Sequence, residues 1–131
     1  MNPENFRCNC PITSALDVVG DKWSLVIIKQ MLLQDCQTFK DFSESTEAIA
    51  PNILSARLKT LEKLKFIEKK KIPQNKKTNI YILTQIGLSL TAIIVELALW
   101  SDHTLRPIHQ KMDIHPILDA MNQNKKEVIR R

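Results

Sequence analysis

IAPNILSARLKTLEKLKFIEKKKIPQNKKTNIYILT, residues 49–84, is the stretch that decides the fold. Its first part predicts a helix from Pro51 to about Lys65. Proline at the first helical position loses nothing, because the N–H there has no helical acceptor. At about 100° per residue, Leu54, Leu58 and Leu61 fall within roughly 60° of one another and form an apolar stripe. Leu64 and Arg57 flank it. The opposite face carries Asn52, Ala56, Lys59 and Lys63, with Ser55 and Thr60 at its margins. The second part predicts a strand over Phe66–Ile72, a turn over Pro73–Thr78 and a returning strand over Asn79–Leu83. Proline and asparagine suit the turn, and Lys76 and Lys77 fall at its tip.

Charge is concentrated in the same stretch. The 131-residue chain carries a net charge of +5. Nine lysines and arginines lie between Arg57 and Lys77, opposed only by Glu62 and Glu68, so this segment carries +7 and the remainder about −2. A one-sided patch of this kind is the electrostatic footprint of phosphate binding; a solvated lysine face is the plainer reading. A helix with a small, polar, basic face suits entry into a groove about 12 Å wide, and the hairpin behind it has the order of a wing.

The rest of the chain surrounds this stretch. Hydrophobic content of 44% and charged content of 25% are ordinary for one globular domain over residues 1–131. Two glycines argue against a turn-rich all-β fold. A first helix is expected over Ile12–Val19, opened by Pro11 and stopped by Gly20, with Ile12, Leu16 and Val19 on one face. A second, over Asp21–Gln34, is capped by Asp21 and apolar enough to be the central core helix. Thr38–Phe39 reads as a short strand, Lys40–Ser45 as a third helix and Thr46–Ala50 as a linker. A long helix is expected over Gln85–Leu105, apolar on more than one face. A helix too apolar for one core usually packs against a second chain. A last helix is expected over His115–Ile129. The polar N-terminus, MNPENFRCNCP, does not read as a signal peptide, and polar residues interrupt both apolar runs, so no membrane span and a cytoplasmic location are expected.

In this order and at this spacing, the chain resembles the HxlR family of bacterial winged helix-turn-helix transcriptional regulators, relatives of the MarR regulators. The resemblance covers roughly residues 10–105 and leaves 106–131 as a C-terminal helical extension. It rests on Cys10-Pro11, Leu16 to Trp23, Phe39-Lys40-Asp41-Phe42, Ile49 to Glu62, Tyr81 to Thr84, Gly87, Leu90 and Trp100. Three places depart from the family. Lys65 stands where glycine is common, which is costly only if its φ is positive. Asp35-Cys36 replaces glycine and proline, and Ala50 replaces serine or threonine.

The resemblance implies a mostly α fold with a small antiparallel β-hairpin: a winged helix-turn-helix with N- and C-terminal dimerisation helices. It implies a homodimer on a pseudo-palindromic operator in double-stranded DNA, with two recognition helices in successive major grooves. Asn52, Ser55, Ala56 and Lys59 are the candidates for reading bases; Asn pairs with adenine and Ala meets a thymine methyl. Lys63, Lys76 and Lys77 are the candidates for phosphate, with Lys69–Lys71 weaker ones. Arg57 stays between two readings, a DNA contact or an internal partner for a carboxylate.

The resemblance also implies a sensor. In some members the cysteine at the position of Cys10 is a redox switch, so an oxidant, an electrophile or another small molecule is the expected effector. A helix N-terminus favours thiolate, and Arg7 is a nearby cation. A half-buried structural cysteine is the plainer reading. Cys8-Asn9-Cys10 alone is a weak metal motif, and no metal or other cofactor is expected. His103, His109 and His115, six apart, share no helical face, and Trp23 and Trp100 read as core and dimer packing. No phosphate loop, metal-hydrolase motif or activated nucleophile is present, so an enzyme is not expected. Two alternatives stand beside the regulator: a winged helix that binds protein instead of DNA, and a metal-responsive regulator.

Overall fold

The computed structural model describes residues 5–113. The helix expected over His115–Ile129 lies outside them. The chain forms two compact units, Met1–Leu88 and Ser89–Arg131.

The first unit opens with α1, Pro11–Val19. Pro11 occupies its first turn and Gly20 ends it, as the sequence suggests. Gly20 does so with φ −80°, not in the left-handed conformation of the usual glycine stop. Close approach explains the glycine: a Cβ here would stand 2.3 Å from the Leu16 carbonyl oxygen. Of the three residues expected on one face, Val19 is buried, while Ile12 and Leu16 are 72% and 55% exposed.

Helix α2, Ser24–Leu33, begins three residues later than expected and has Trp23 as its N-cap residue, but Asp21 still serves its first free donors from outside the helix. Its carboxylate accepts from the N–H of Trp23 at 3.0 Å and of Ser24 at 2.9 Å, and from the Ser24 hydroxyl. Satisfying free donors at a helix start is worth about 1 kcal/mol. Ile27 and Ile28 are fully buried, as expected of the core helix. Gln30 is buried with them. Its amide donates to Ser45 Oγ and Glu47 Oε1, both at 2.9 Å, and Lys29 Nζ holds Glu47 at 2.9 Å. These bonds tie α2 to the linker before residue 51, where Ala48 takes φ 50°.

The strand expected at Thr38–Phe39 is absent. Helix α3, Phe39–Ser43, starts there instead. Thr38 is its N-cap, accepting from the Asp41 N–H at 3.1 Å, while Asp41 accepts from the Thr38 N–H at 3.0 Å. This is a capping box, in which each side chain satisfies the other residue's backbone donor. A trace of the strand survives one residue earlier, where the Gln37 carbonyl accepts from the Tyr81 N–H at 2.8 Å.

Helix α4, Pro51–Lys63, buries Leu54, Leu58 and Leu61, as the leucine spacing requires. It ends in a complete Schellman motif. Phe66 N–H donates to the Leu61 carbonyl and Lys65 N–H to the Glu62 carbonyl, both at 3.0 Å. The residue at the turn, Lys65, has φ 70°. Asp35, the other departure from a family glycine, has φ 51°. Both substitutions therefore sit where glycine is favoured.

Strands β1, Ile67–Ile72, and β2, Asn75–Leu83, form a two-stranded antiparallel sheet. Thr84 locks its base: Thr84 Oγ1 donates toward the Lys65 and Phe66 carbonyls and accepts from the Gly87 N–H. Helix α5, Gln85–Leu88, follows at once. Gly87 leaves room for the Phe66 carbonyl oxygen, which a Cβ would meet at 2.1 Å.

The second unit contains α6, Thr91–Thr104. The single helix expected over Gln85–Leu105 is thus two, separated at Ser89–Leu90. Leu90, Ile94 and Val95 are buried, while Ile93, Leu97 and Trp100 are exposed, Trp100 by 56%. By length and composition alone the 20-residue run Gln85–Thr104, of mean hydropathy 1.3, is apolar enough to cross a membrane. The break at Ser89–Leu90 divides that run.

Candidate nucleic-acid interface

The buried leucines of α4 fix what the helix presents on its other side. Asn52, Ala56, Lys59 and Lys63 are all exposed there. Thr60 joins them but turns its hydroxyl back to the Ala56 carbonyl at 3.1 Å, so it is partly satisfied within the helix. Ser55 sits on the flank. It is half-buried and lines a small cleft with Phe39, Leu58, Lys59, Glu62, Lys69 and Tyr81. The cleft separates α4 from the hairpin, and Lys59 and Lys69 face it from its two sides.

Arg57 lies on the other flank. Its Nε is 3.6 Å from Asp21 Oδ2. The carboxylate that serves the first donors of α2 therefore also holds a side chain of α4, and the internal reading of Arg57 has a named partner. The pair is partly exposed, so its own energy is modest, about 0–1 kcal/mol. What it supplies is position.

The hairpin differs from expectation in one respect. The reversal is only Pro73–Gln74, and Asn75 already pairs with Ile72. The next pair is Lys71 with Asn79, so Lys76, Lys77 and Thr78 bulge out of β2 with no partner on β1. Asn75 holds the bulge in shape. Its Oδ1 accepts from the Lys77 N–H at 3.1 Å and its Nδ2 donates to Thr78 Oγ1 at 2.8 Å. Lys76 and Lys77 thus occupy a tethered bulge beside the tip, not the tip itself. Lys77 and the run Lys69–Lys71 are exposed. Below them the ladder is regular, from Lys71 with Asn79 to Ile67 with Leu83. Tyr81 anchors it, its ring edge-on to buried Phe42 with centroids 6.4 Å apart.

An exposed helix with a polar, basic face, held against a lysine-bearing hairpin, is the shape of a winged helix-turn-helix. The sequence model of the HxlR-like helix-turn-helix family matches residues 18–109, which span every element from the end of α1 through α6. The chain belongs to the HxlR-like helix-turn-helix family. It is a winged-helix transcriptional regulator of mostly helical fold, and not an enzyme. Among its HxlR relatives, the HTH-type transcriptional regulator YodB of Bacillus subtilis (strain 168) is 32% identical over 99 residues, covering 75% of this chain and 88% of YodB. The structure of reduced YodB from B. subtilis is similar with a TM-score of 0.60 and 32% identity, covering 76% of this chain and 98% of that one. The crystal structure of quinone-bound YodB is similar with a TM-score of 0.56 and 33% identity, covering 71% and 98%.

The candidate sensor of this HxlR chain stands apart from the α4 face. Cys10 is the N-cap residue of α1 and is exposed. It makes no side-chain cap hydrogen bond, but the Thr13 N–H, then the Thr13 hydroxyl and the Ile12 N–H, favour the thiolate and hold its pKa below the ordinary thiol value. Arg7, expected to help, is engaged elsewhere. Its Nε pairs with Asp17 Oδ1, and its N–H donates to Asp17 Oδ2 at 3.1 Å. Cys8 is also exposed. Cys36 is buried, and burial pushes its thiol pKa up. Among the described residues no group of three or more His, Cys, Asp or Glu side chains stands together as a metal site. His103 and His109 are exposed; His115 lies outside the described residues.

Proposed function

We propose that this chain acts as a cytoplasmic homodimer that binds a pseudo-palindromic operator and releases or retains it according to the state of Cys10. The whole chain, 1–131, works as one DNA-binding domain, with 106–131 as a helical extension. The observation that carries the reading is the exposed face of α4 beside the tethered lysine bulge. Asn52, Ala56 and Lys59 enter the major groove, and Ser55 approaches from the flank. Lys63, Lys76 and Lys77 take phosphates and set the register. Arg57 orients α4 through Asp21.

The dimer reading draws support from apolar side chains left in water. Ile12 and Leu16 on α1, and Ile93, Leu97 and Trp100 on α6, are all more than a third exposed. The effector reading draws support from the exposed, thiolate-favouring position of Cys10 and from the quinone-bound relative. An oxidant or an electrophile such as a quinone is the class of effector that a thiolate selects.

The test is a fluorescence titration of operator and of random duplex, with and without a quinone, using wild type and Cys10→Ser. Tight operator binding that the quinone weakens or strengthens only in wild type supports the proposal. No binding to any duplex at low salt leaves a protein-binding winged helix as the better reading. Identical quinone responses in both proteins remove Cys10 as the sensor.

A further inference from the structure

The chain has three cysteines, and no cysteine follows Cys36. A cysteine sulfenic acid that condenses with a second thiol is held back from further oxidation. Cys36 is a poor choice. It is 7% exposed, packed in the core, and its thiol is disfavoured as thiolate. Within one chain that leaves Cys8, separated from Cys10 by one residue and exposed like it. The chain bends through Arg7–Asn9. A bend between residues two apart shortens their Cα separation toward the about 4.4–6.8 Å that a disulfide spans. The Arg7–Asp17 ion pair and the Arg7 N–H bond to Asp17 hold this arm against α1 at the first residue of the bend. The arm is thus held at Arg7 and again at Pro11, with both thiols between the two points.

We propose that Cys8 is the resolving thiol for Cys10, closing a Cys8–Cys10 disulfide within one chain when the protein meets a peroxide. The proposal rests on the reading of Cys10 as the reactive thiol. In the first step the Cys10 thiolate attacks one oxygen of hydrogen peroxide. The O–O bond breaks, Cys10 becomes a sulfenic acid, and the departing hydroxide is protonated to water. In the second step the Cys8 sulfur attacks the Cys10 sulfur. The S–O bond breaks, hydroxide leaves and takes the Cys8 proton as a second water, and the S–S bond forms. The two thiols give up two electrons, and peroxide accepts both. A disulfide across a single residue is small and exposed, the kind that reductants reopen readily. Closure also removes the thiolate from the N-terminus of α1.

The full-length protein offers a direct readout. Trypsin cleaves after Arg7 and Lys22, so one peptide, residues 8–22, contains both thiols. After peroxide treatment the expected results are an intact peptide two hydrogens lighter, a fall in free thiols per chain from three toward one, and no covalent dimer on a non-reducing gel. In Cys8→Ser, dimedone labelling of Cys10 sulfenic acid should rise several-fold above wild type. A peroxide-induced covalent dimer through Cys10, or equal dimedone labelling in wild type and Cys8→Ser, overturns the proposal. Operator binding measured on the same samples separates the two levels. A peroxide response kept in Cys8→Ser but lost in Cys10→Ser leaves the sensor standing and removes only its resolving thiol; a response unchanged in Cys10→Ser removes both.

Discussion

Replacing Lys65 by glycine should make this protein more stable. Lys65 closes the Schellman turn after α4 with φ 70°, where a Cβ crowds the backbone. A side chain in that conformation costs about 1–2 kcal/mol, which glycine avoids. Glycine in turn gives the unfolded chain more freedom, a loss of about 0.4–1 kcal/mol. Lys65 is exposed, so little packing is lost. Its charge beyond a helix C-terminus is worth about 0.3 kcal/mol at a surface. The balance is a gain on the order of 0.5 kcal/mol, which for a chain of this size raises Tm by about 2 °C. Lys65→Ala isolates the cause, because it removes the same charge and side chain but keeps the Cβ. Thermal unfolding followed by circular dichroism should therefore rank glycine above lysine, and lysine at or slightly above alanine. Protein concentration must be fixed, since dimerisation would make Tm concentration-dependent. If Lys65→Gly melts at or below the Lys65→Ala variant, the left-handed conformation is not a source of strain and the reasoning fails.

Three further outcomes are expected. Lys76→Ala with Lys77→Ala should weaken binding to every duplex alike and reduce the slope of log affinity against log salt by about 2; an unchanged slope in a salt titration would remove the bulge from the phosphate contacts. Gly87→Ala places a Cβ 2.1 Å from the Phe66 carbonyl oxygen, so urea unfolding should show a loss of about 1–3 kcal/mol, and an unchanged midpoint would deny that close approach. The Asp41 carboxyl is held below its ordinary pKa by the N–H groups of Gln37 and Thr38. Its folded value being the lower, the stabilisation is complete above the unfolded value of about 3.9 and is lost as pH falls through the folded one. Asp41→Asn should therefore lower stability at neutral pH and converge on wild type in acid; a gap that persists in acid would point to a cause other than charge.

The leucine spacing of α4, Pro51 at its start and the lysine-rich hairpin were all legible in the sequence, because each depends on neighbours within a few residues. So was Asp21 as a cap, although α2 itself begins later. The capping box at Thr38 and Asp41 was also written there, as a threonine followed three residues on by an acid, but the β-branched Thr38 and aromatic Phe39 favoured a strand reading. Other features depend on distant parts of the chain. The break at Ser89–Leu90 follows a Gly87 pressed on the Phe66 carbonyl, a contact that helical periodicity cannot register. The exposed Ile12 and Leu16 have the spacing of a packed stripe, and only the fold shows them in water. For the candidate interface, the helical angle gave the exposed face correctly and left Arg57 open. Its partner, Asp21, is thirty-six positions away and had been given another task, capping α2.

The bulge at Lys76–Thr78 separates two demands that a tight hairpin would place on the same residues. Cohesion resides in the ladder between residues 67–71 and 79–83, where a one-residue slip would turn every side chain to the wrong face. The bulge lies outside that ladder. Its length, and the number of cations it carries, can change without altering the pairing beneath it. On the proposed reading, in which the bulge takes phosphates, insertion or deletion there retunes the grip on the DNA backbone while α4 keeps its place.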